Sequence, residues 1–199
     1  MNASKPTMPF LPWLFTLGGA IGLVASLVIS LDKLKLLQNP HYVPSCNINP
    51  IISCGSVMKT AQASVFGFPN SWLGLIGFAA VILTGISLLA GVRLRPWYWR
   101  LFNLGALLGV LLITWLFVQS VYVIHALCPW CMVVWSVTIP IFLFTTIYTL
   151  REGHLPTPKL LQRPAQVIYE YKYVVLVCWY LLIALLILHH FWYYFRTFV

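Results

Sequence analysis

A chain of 199 residues that is 61% hydrophobic and only 8% charged lies far from soluble domains, in which about a quarter of residues are charged. That excludes an ordinary soluble fold. The net charge of +9 does not point to nucleic acid, because the basic residues fall between apolar blocks in a pattern that reads as membrane topology.

Each apolar block is close to the ~20 residues that a helix needs to cross a hydrocarbon core, and none shows the short alternation of a strand. Five transmembrane helices are predicted, at 11–31, 72–92, 101–124, 131–150 and 174–195, none with an internal Asp, Glu, Lys or Arg. The first is too long for a secretory signal core, and no small-x-small cleavage site follows it. The loop at 32–71 is the longest connection and carries two cysteines among many turn residues. Long ordered loops usually carry function. Spans two and three are joined by a basic turn at 93–100, and spans three and four nearly abut at 125–129. Such short links predict that spans two to four pack as antiparallel neighbours. The link at 151–173, with Pro156, Pro158 and Pro164, reads as a cytoplasmic tether. The fifth span ends in the aromatic run Phe191, Trp192, Tyr193, Tyr194, Phe195, an interfacial belt. It is expected to sit beside the bundle.

Placing the N-terminus inside puts Lys5, Arg93, Arg95, Arg100, Arg151, Lys159, Arg163 and Lys172 on the cytoplasmic side. Lys33, Lys35, Lys59 and Arg196 fall on the other side. The excess of basic residues favours this orientation, with the loop at 32–71 outside.

Four of the five cysteines form two pairs: Cys46 with Cys54 in the outer loop, and Cys128 with Cys131 as Cys-Pro-Trp-Cys at the start of span four. A C-x-x-C at a helix N-terminus places its first sulfur near unpaired amides and the positive end of the helix dipole, which favours the reactive thiolate. On the outer side disulfides persist, so dithiol exchange has a use there. Cys46 and Cys54 taken alone read equally well as a structural staple. A tetrathiolate zinc site is the other reading, but the seven residues between Cys46 and Cys54 exceed usual ligand spacing; no metal is expected. Cys178, alone in span five, reads as a small buried apolar residue.

The segments Ser45–Ser56, Phe66-Gly67-Phe68-Pro69-Asn70 and Cys128-Pro129-Trp130-Cys131 together resemble the vitamin K epoxide reductase family, most closely its bacterial members that oxidise protein thiols. The resemblance covers about residues 11–150 and leaves span five outside. It implies an all-α membrane protein: a four-helix bundle around a quinone site, plus one peripheral helix. Residues 1–150 would form the catalytic domain with its outer loop 32–71, 151–173 a cytoplasmic linker, and 174–199 the fifth helix and a short tail. By position, Cys46 and Cys54 match the family's shuttle pair, and Cys128 and Cys131 its active-site pair. Thr60 falls where a serine or threonine supports thiol exchange, and Asn70 where an asparagine bonds a quinone carbonyl. Read as a residue alone, Asn70 is as readily the cap of span two.

Trp135 stands where the animal enzymes have a tyrosine, and one turn after Cys131 it can face the same pocket. Indole donates but cannot accept a hydrogen bond, which favours plain quinone reduction over epoxide reduction. The quinone would be of menaquinone, phylloquinone or ubiquinone type. Only 196–199 follow the last span, so the redox partner is expected to be a separate thioredoxin-fold, DsbA-like protein. The expected location is the inner or plasma membrane, multi-pass, with the active site on the periplasmic or extracytoplasmic face. Gly55 and Gly67 are candidate hinges for the loop. The rival is a non-enzymatic membrane protein with structural or metal-binding cysteines, in which His189 and His190 could be ligands. Its weakness is that a transporter needs polar groups within its spans, and these have almost none.

Overall fold

The computed structural model describes residues 8–155 and 166–196. Lys5, Pro156, Pro158, Lys159, Arg163 and Pro164 lie outside them, and so does the middle of the expected linker, 156–165. The chain folds as α1 (Leu11–Gln38), a short α2 (Cys54–Met58), a 3₁₀ turn (Ala61–Ser64), α3 (Ser71–Leu89) and α4 (Pro96–Val118). A π-helical turn (Gln119–Ile124) extends α4, and α5 (Pro129–Arg151), α6 (Lys172–His190) and a final turn α7 (Trp192–Phe195) follow. Among the described residues, five helices are long and apolar enough to cross a membrane: α1, α3, α4 with its extension, α5 and α6. The protein is an all-α, multi-pass membrane protein.

Local chemistry sets the helix ends. Proline stands in the first turn of α1, α4 and α5, where its missing N–H is an orphan donor in any case. Gly91 and Gly153 follow α3 and α5 at φ 77° and 67°, the left-handed closure that glycine adopts without cost. Pro140 lies inside α5 and cannot donate to the carbonyl of Ser136. Tyr180 of α6 supplies that bond, its hydroxyl donating to Ser136 O at 2.5 Å.

Helix α1 packs against both α3 and α5, and α4 packs against α5. The α1–α3 seam is close: a Cβ on Gly19 would lie 2.8 Å from Ile82 Cγ1 and 3.2 Å from the Ile82 amide. Small residues at such crossings let backbones approach and gain dispersion contact in lipid. Helix α6 leans on α5 and on the Gln119–Ile124 turn with no residue buried along its own length, so it is peripheral.

Three expectations need correction. Helix α1 runs on to Gln38, so Asp32, Lys33 and Lys35 are helical and the loop begins later than residue 32. The apolar face continues through Ile29 and Leu36, and buried Asp32 is held by the Tyr42 hydroxyl at 2.9 Å. Second, the short 90–95 turn does not make α3 and α4 neighbours along their length. They meet at the turn, where Thr84 Oγ1 and Tyr98 OH lie 2.5 Å apart, and then part around a cavity. Third, Cys178 is exposed on α6, not buried.

Candidate functional site

The four paired cysteines converge at one end of the bundle, with Cys46, Cys54 and Cys128 all buried in a single cluster with Leu36 and Met58. Cys46 and Cys54 are joined as a disulfide, while Cys128 and Cys131 are free thiols. The Cys128 sulfur lies 3.4 Å from that of Cys54. With Cys46 and Cys54 bonded to each other, the cluster in this state is not a tetrathiolate.

Asparagines shape the shuttle loop. Asn49 Oδ1 accepts from the amides of Ile51 and Ile52 at 3.0 and 2.6 Å, and Asn47 Oδ1 accepts from the Gly55 amide at 2.9 Å and from Ser53 Oγ. These turns compete with regular structure and bend the chain back on itself. Ser53 caps α2 by accepting from the Ser56 amide. Gly55 is not a hinge: it sits inside α2 against Asn47, where a Cβ would meet Nδ2 at 2.9 Å. Gly67, with φ 81° and open space around it, does have a hinge's geometry.

Backbone pairing fixes the two cysteine segments together. The Leu127 amide donates to Ile51 O at 2.6 Å, and the Ser53 amide donates to Leu127 O at 2.9 Å, forming a lone parallel bridge between Ile52 and Leu127. Cys54 follows Ser53, and Cys128 follows Leu127. The bridge was not legible from sequence; its faint signal is the β-favouring pair Ile51-Ile52.

Cys128 is the N-cap of α5, its sulfur accepting from the Cys131 amide at 3.4 Å. Hydrogen bonding with the Cys131 side chain, followed by the amides of Cys131 and Trp130, holds the Cys128 thiol below its usual value, against burial and the charge of Asp32. A thiol so placed is primed for exchange.

Beyond Cys131 lies a cavity of about 400 Å³ between α3 and α4, floored by α5. Cys131 lines it and Cys128 does not. Most of the wall is apolar, with Phe78, Val81, Ile113, Leu116 and Val134 among its residues. Trp135, buried and packed edge-on against Phe117 at 5.2 Å, lines it as well. So do Asn70 and Thr60. Asn70 stands at the N-cap of α3 but makes no side-chain cap bond. Its Nδ2 donates to Gln62 O at 2.7 Å and its Oδ1 accepts from the Val65 amide at 3.2 Å, so it braces the loop and keeps one amide N–H to spare. Thr60 donates its hydroxyl to Val57 O at 2.8 Å.

Asp32 was missed as a site residue. It is buried beside this cluster with Oδ2 unpartnered, and the sequence signal was a carboxylate in helical register with Ile29 and Leu36. His189 and His190 are not gathered into a metal cluster; among the described residues no group of three or more His, Cys, Asp or Glu could hold an ion.

Membrane-crossing helices, two cysteine pairs in contact and an apolar cavity against one of them define a membrane-embedded thiol oxidoreductase. Residues 13–146 match the Vitamin K epoxide reductase family, and the chain belongs to that family. No curated protein matches the chain. Membership makes it a membrane thiol:quinone oxidoreductase in general terms, of a family that works with a quinone and a thioredoxin-like partner.

Proposed function

We propose that this protein reoxidises a separate thioredoxin-fold partner on the outer face of the membrane and delivers the electron pair to a quinone, so sustaining disulfide formation outside the cytoplasm. The observation that carries the reading is the file of sulfurs: Cys54, bonded to Cys46, stands 3.4 Å from Cys128, and Cys131 opens on the cavity.

Each step is a thiolate displacing one sulfur of a disulfide. A partner thiolate attacks Cys46, the Cys46–Cys54 bond breaks, and Cys54 leaves as thiolate. The partner's second thiolate then attacks its own sulfur in the mixed disulfide, which leaves the partner oxidised and Cys46 free. Cys54 attacks Cys128 of an oxidised Cys128–Cys131 pair, releasing the Cys131 thiolate. Cys46 finally resolves the Cys54–Cys128 bond. The shuttle is then oxidised and Cys128 and Cys131 are reduced, the bonding state seen here.

The cavity suits a quinone. It is apolar, of a size for a ring with part of its tail, bordered by one redox sulfur and by Asn70 with a spare donor. When bound, a quinone supplies the acceptor for two electrons and two protons. The chain's part is to hold the ring among Phe78, Val134 and Trp135, to orient a carbonyl through Asn70, and to present Cys131. Thr60, at the rim, supports the loop carrying Cys54 through its bond to Val57. Cys46 is only 7% exposed, so the loop opens to admit the partner, with Gly67 as its pivot.

The test is to mix the purified protein with a quinone and a reduced thioredoxin-fold protein and follow quinone absorbance. Bleaching that requires both the partner and the protein is the expected result. Bleaching with the partner omitted, or none at all, contradicts the proposal.

A further inference from the structure

The turn that presents Cys128 is braced by the fifth helix, which lies beyond the residues that match the family. His125 begins this turn at φ 55°, the one non-glycine with positive φ among the described residues. L side chains adopt that conformation at a cost, and it persists where surrounding contacts over-determine it. One such contact comes from α6. His125 Nδ1 lies 2.9 Å from His190 Nε2, with the ring planes 4° apart and the centroids separated by 5.1 Å. Nitrogens so close with centroids so far apart place the rings edge to edge, as in an imidazole N–H···N bond. Tyr122 adds an edge contact to His190 at 5.0 Å.

The next residue, Phe191, is 5% exposed and packs in the cluster that holds Leu127 and Trp135, with Ile51 against it. Leu127 is the residue whose N–H and C=O grip Ile51 and Ser53. A continuous set of contacts therefore runs from the end of α6, through His125 and Leu127, to the segment carrying Cys54. The middle of α6 is pinned separately, by Tyr180 on the carbonyl that Pro140 leaves free.

We propose that His190 and Phe191 are positioning residues for exchange between Cys54 and Cys128: they clamp the 125–128 turn so that its backbone stays paired with 51–53. The inference rests on the sulfur relay, and its test separates the two. In a parent carrying Cys46→Ala, Cys131→Ala and Cys178→Ala, Cys54 and Cys128 are the remaining thiols. The rate at which diamide joins them, read by alkylation mass shift, reports their juxtaposition directly. His190→Ala slows this by roughly two- to tenfold, the range for losing one hydrogen bond, and Phe191→Ala slows it further. His190→Gln, whose amide reaches the Nε2 position and can donate or accept, restores most of the rate. Leu185→Ala, on the exposed face of α6, leaves it unchanged. Equal rates in His190→Ala and the parent overturn the inference, as does a Gln variant as slow as the Ala variant. Should Phe191→Ala fail to fold, the Ala and Gln pair at His190 still decides. Absence of any Cys54–Cys128 bond in the parent overturns the relay itself.

Discussion

The two ends of the bundle are built on opposite plans. At the end away from the cysteines, large rings interlock: Trp99 meets Tyr148 at 4.4 Å, Phe10 meets Phe144 at 4.9 Å and Phe15 meets Phe102 at 5.3 Å. Trp99 and Phe15 are almost wholly buried there. At the cysteine end the helices part around a cavity, with sulfurs and polar turns beside it. A clamp at one end allows α3 and α4 to diverge at the other without the bundle falling open. Stability and reactivity are thus assigned to different regions, and substitutions in the two should have separable effects.

The largest separation is expected at the cysteines. Cys54→Ala abolishes partner-driven quinone turnover, because Cys46 is left with no disulfide to offer the partner; with Cys54 in place, a partner lacking its second thiol is instead held at Cys46 as a lasting mixed disulfide. A non-reducing gel detects it. Cys178→Ala, on the exposed face of α6, leaves turnover nearly unchanged. At the clamp, Trp99→Ala removes the central ring and costs about 3–5 kcal/mol, measured by denaturant unfolding in detergent. Alkylation of Cys128 in the folded fraction stays at its original rate. A changed Cys128 rate would show that the two ends are coupled.

The cavity gives a smaller effect of opposite sign in the two readouts. A Cβ on Gly105 meets nothing within 4 Å, and the residue lines the cavity. Gly105→Leu should stabilise α4 by up to about 1 kcal/mol through helix propensity while raising the quinone concentration needed for half-maximal turnover. Loss of stability with unchanged quinone dependence would place the quinone elsewhere.

The smallest effect concerns charge. The Cys128 thiol is held below its usual value by its hydrogen bonds, and Asp32 opposes this. Thiolate reactivity is present above the folded pKa and is lost as pH falls through it. Asp32→Asn removes the opposing charge, so the pH profile of Cys128 alkylation moves to lower pH. A move to higher pH would mean that Asp32 helps the thiolate.

Much of this was legible in the sequence. Apolar blocks marked the five helices because a bilayer leaves backbone groups no partner but their own helix. Two cysteine pairs and the Phe-Gly-Phe-Pro-Asn segment marked the family. The failures share a cause: sequence spacing constrains chain ends, not what lies between. A short turn brings α3 and α4 together at Thr84 and Tyr98 but cannot say that they separate beyond it. The glycines Gly74, Gly77, Gly105 and Gly109, all on the cavity wall, were a signal that went unread. Asn70, which read alone as readily as a helix cap as a quinone ligand, makes no cap bond; its amide turns to Gln62 and Val65 because the preceding loop folds back over it. Gly55 looked like a hinge, and close packing against Asn47 was the reason for it.

The central claim is the order of the inner sulfurs, Cys128 towards Cys54 and Cys131 towards the cavity. Absorbance of quinone-loaded single variants tests it most directly. Cys128→Ser strands Cys131 as a free thiol against the cavity, and a thiolate beside an electron-poor ring gives a new visible band. The account predicts that this band appears in Cys128→Ser, requires quinone, fades on acidification and is absent from Cys131→Ser. A band of equal strength in Cys131→Ser would contradict it.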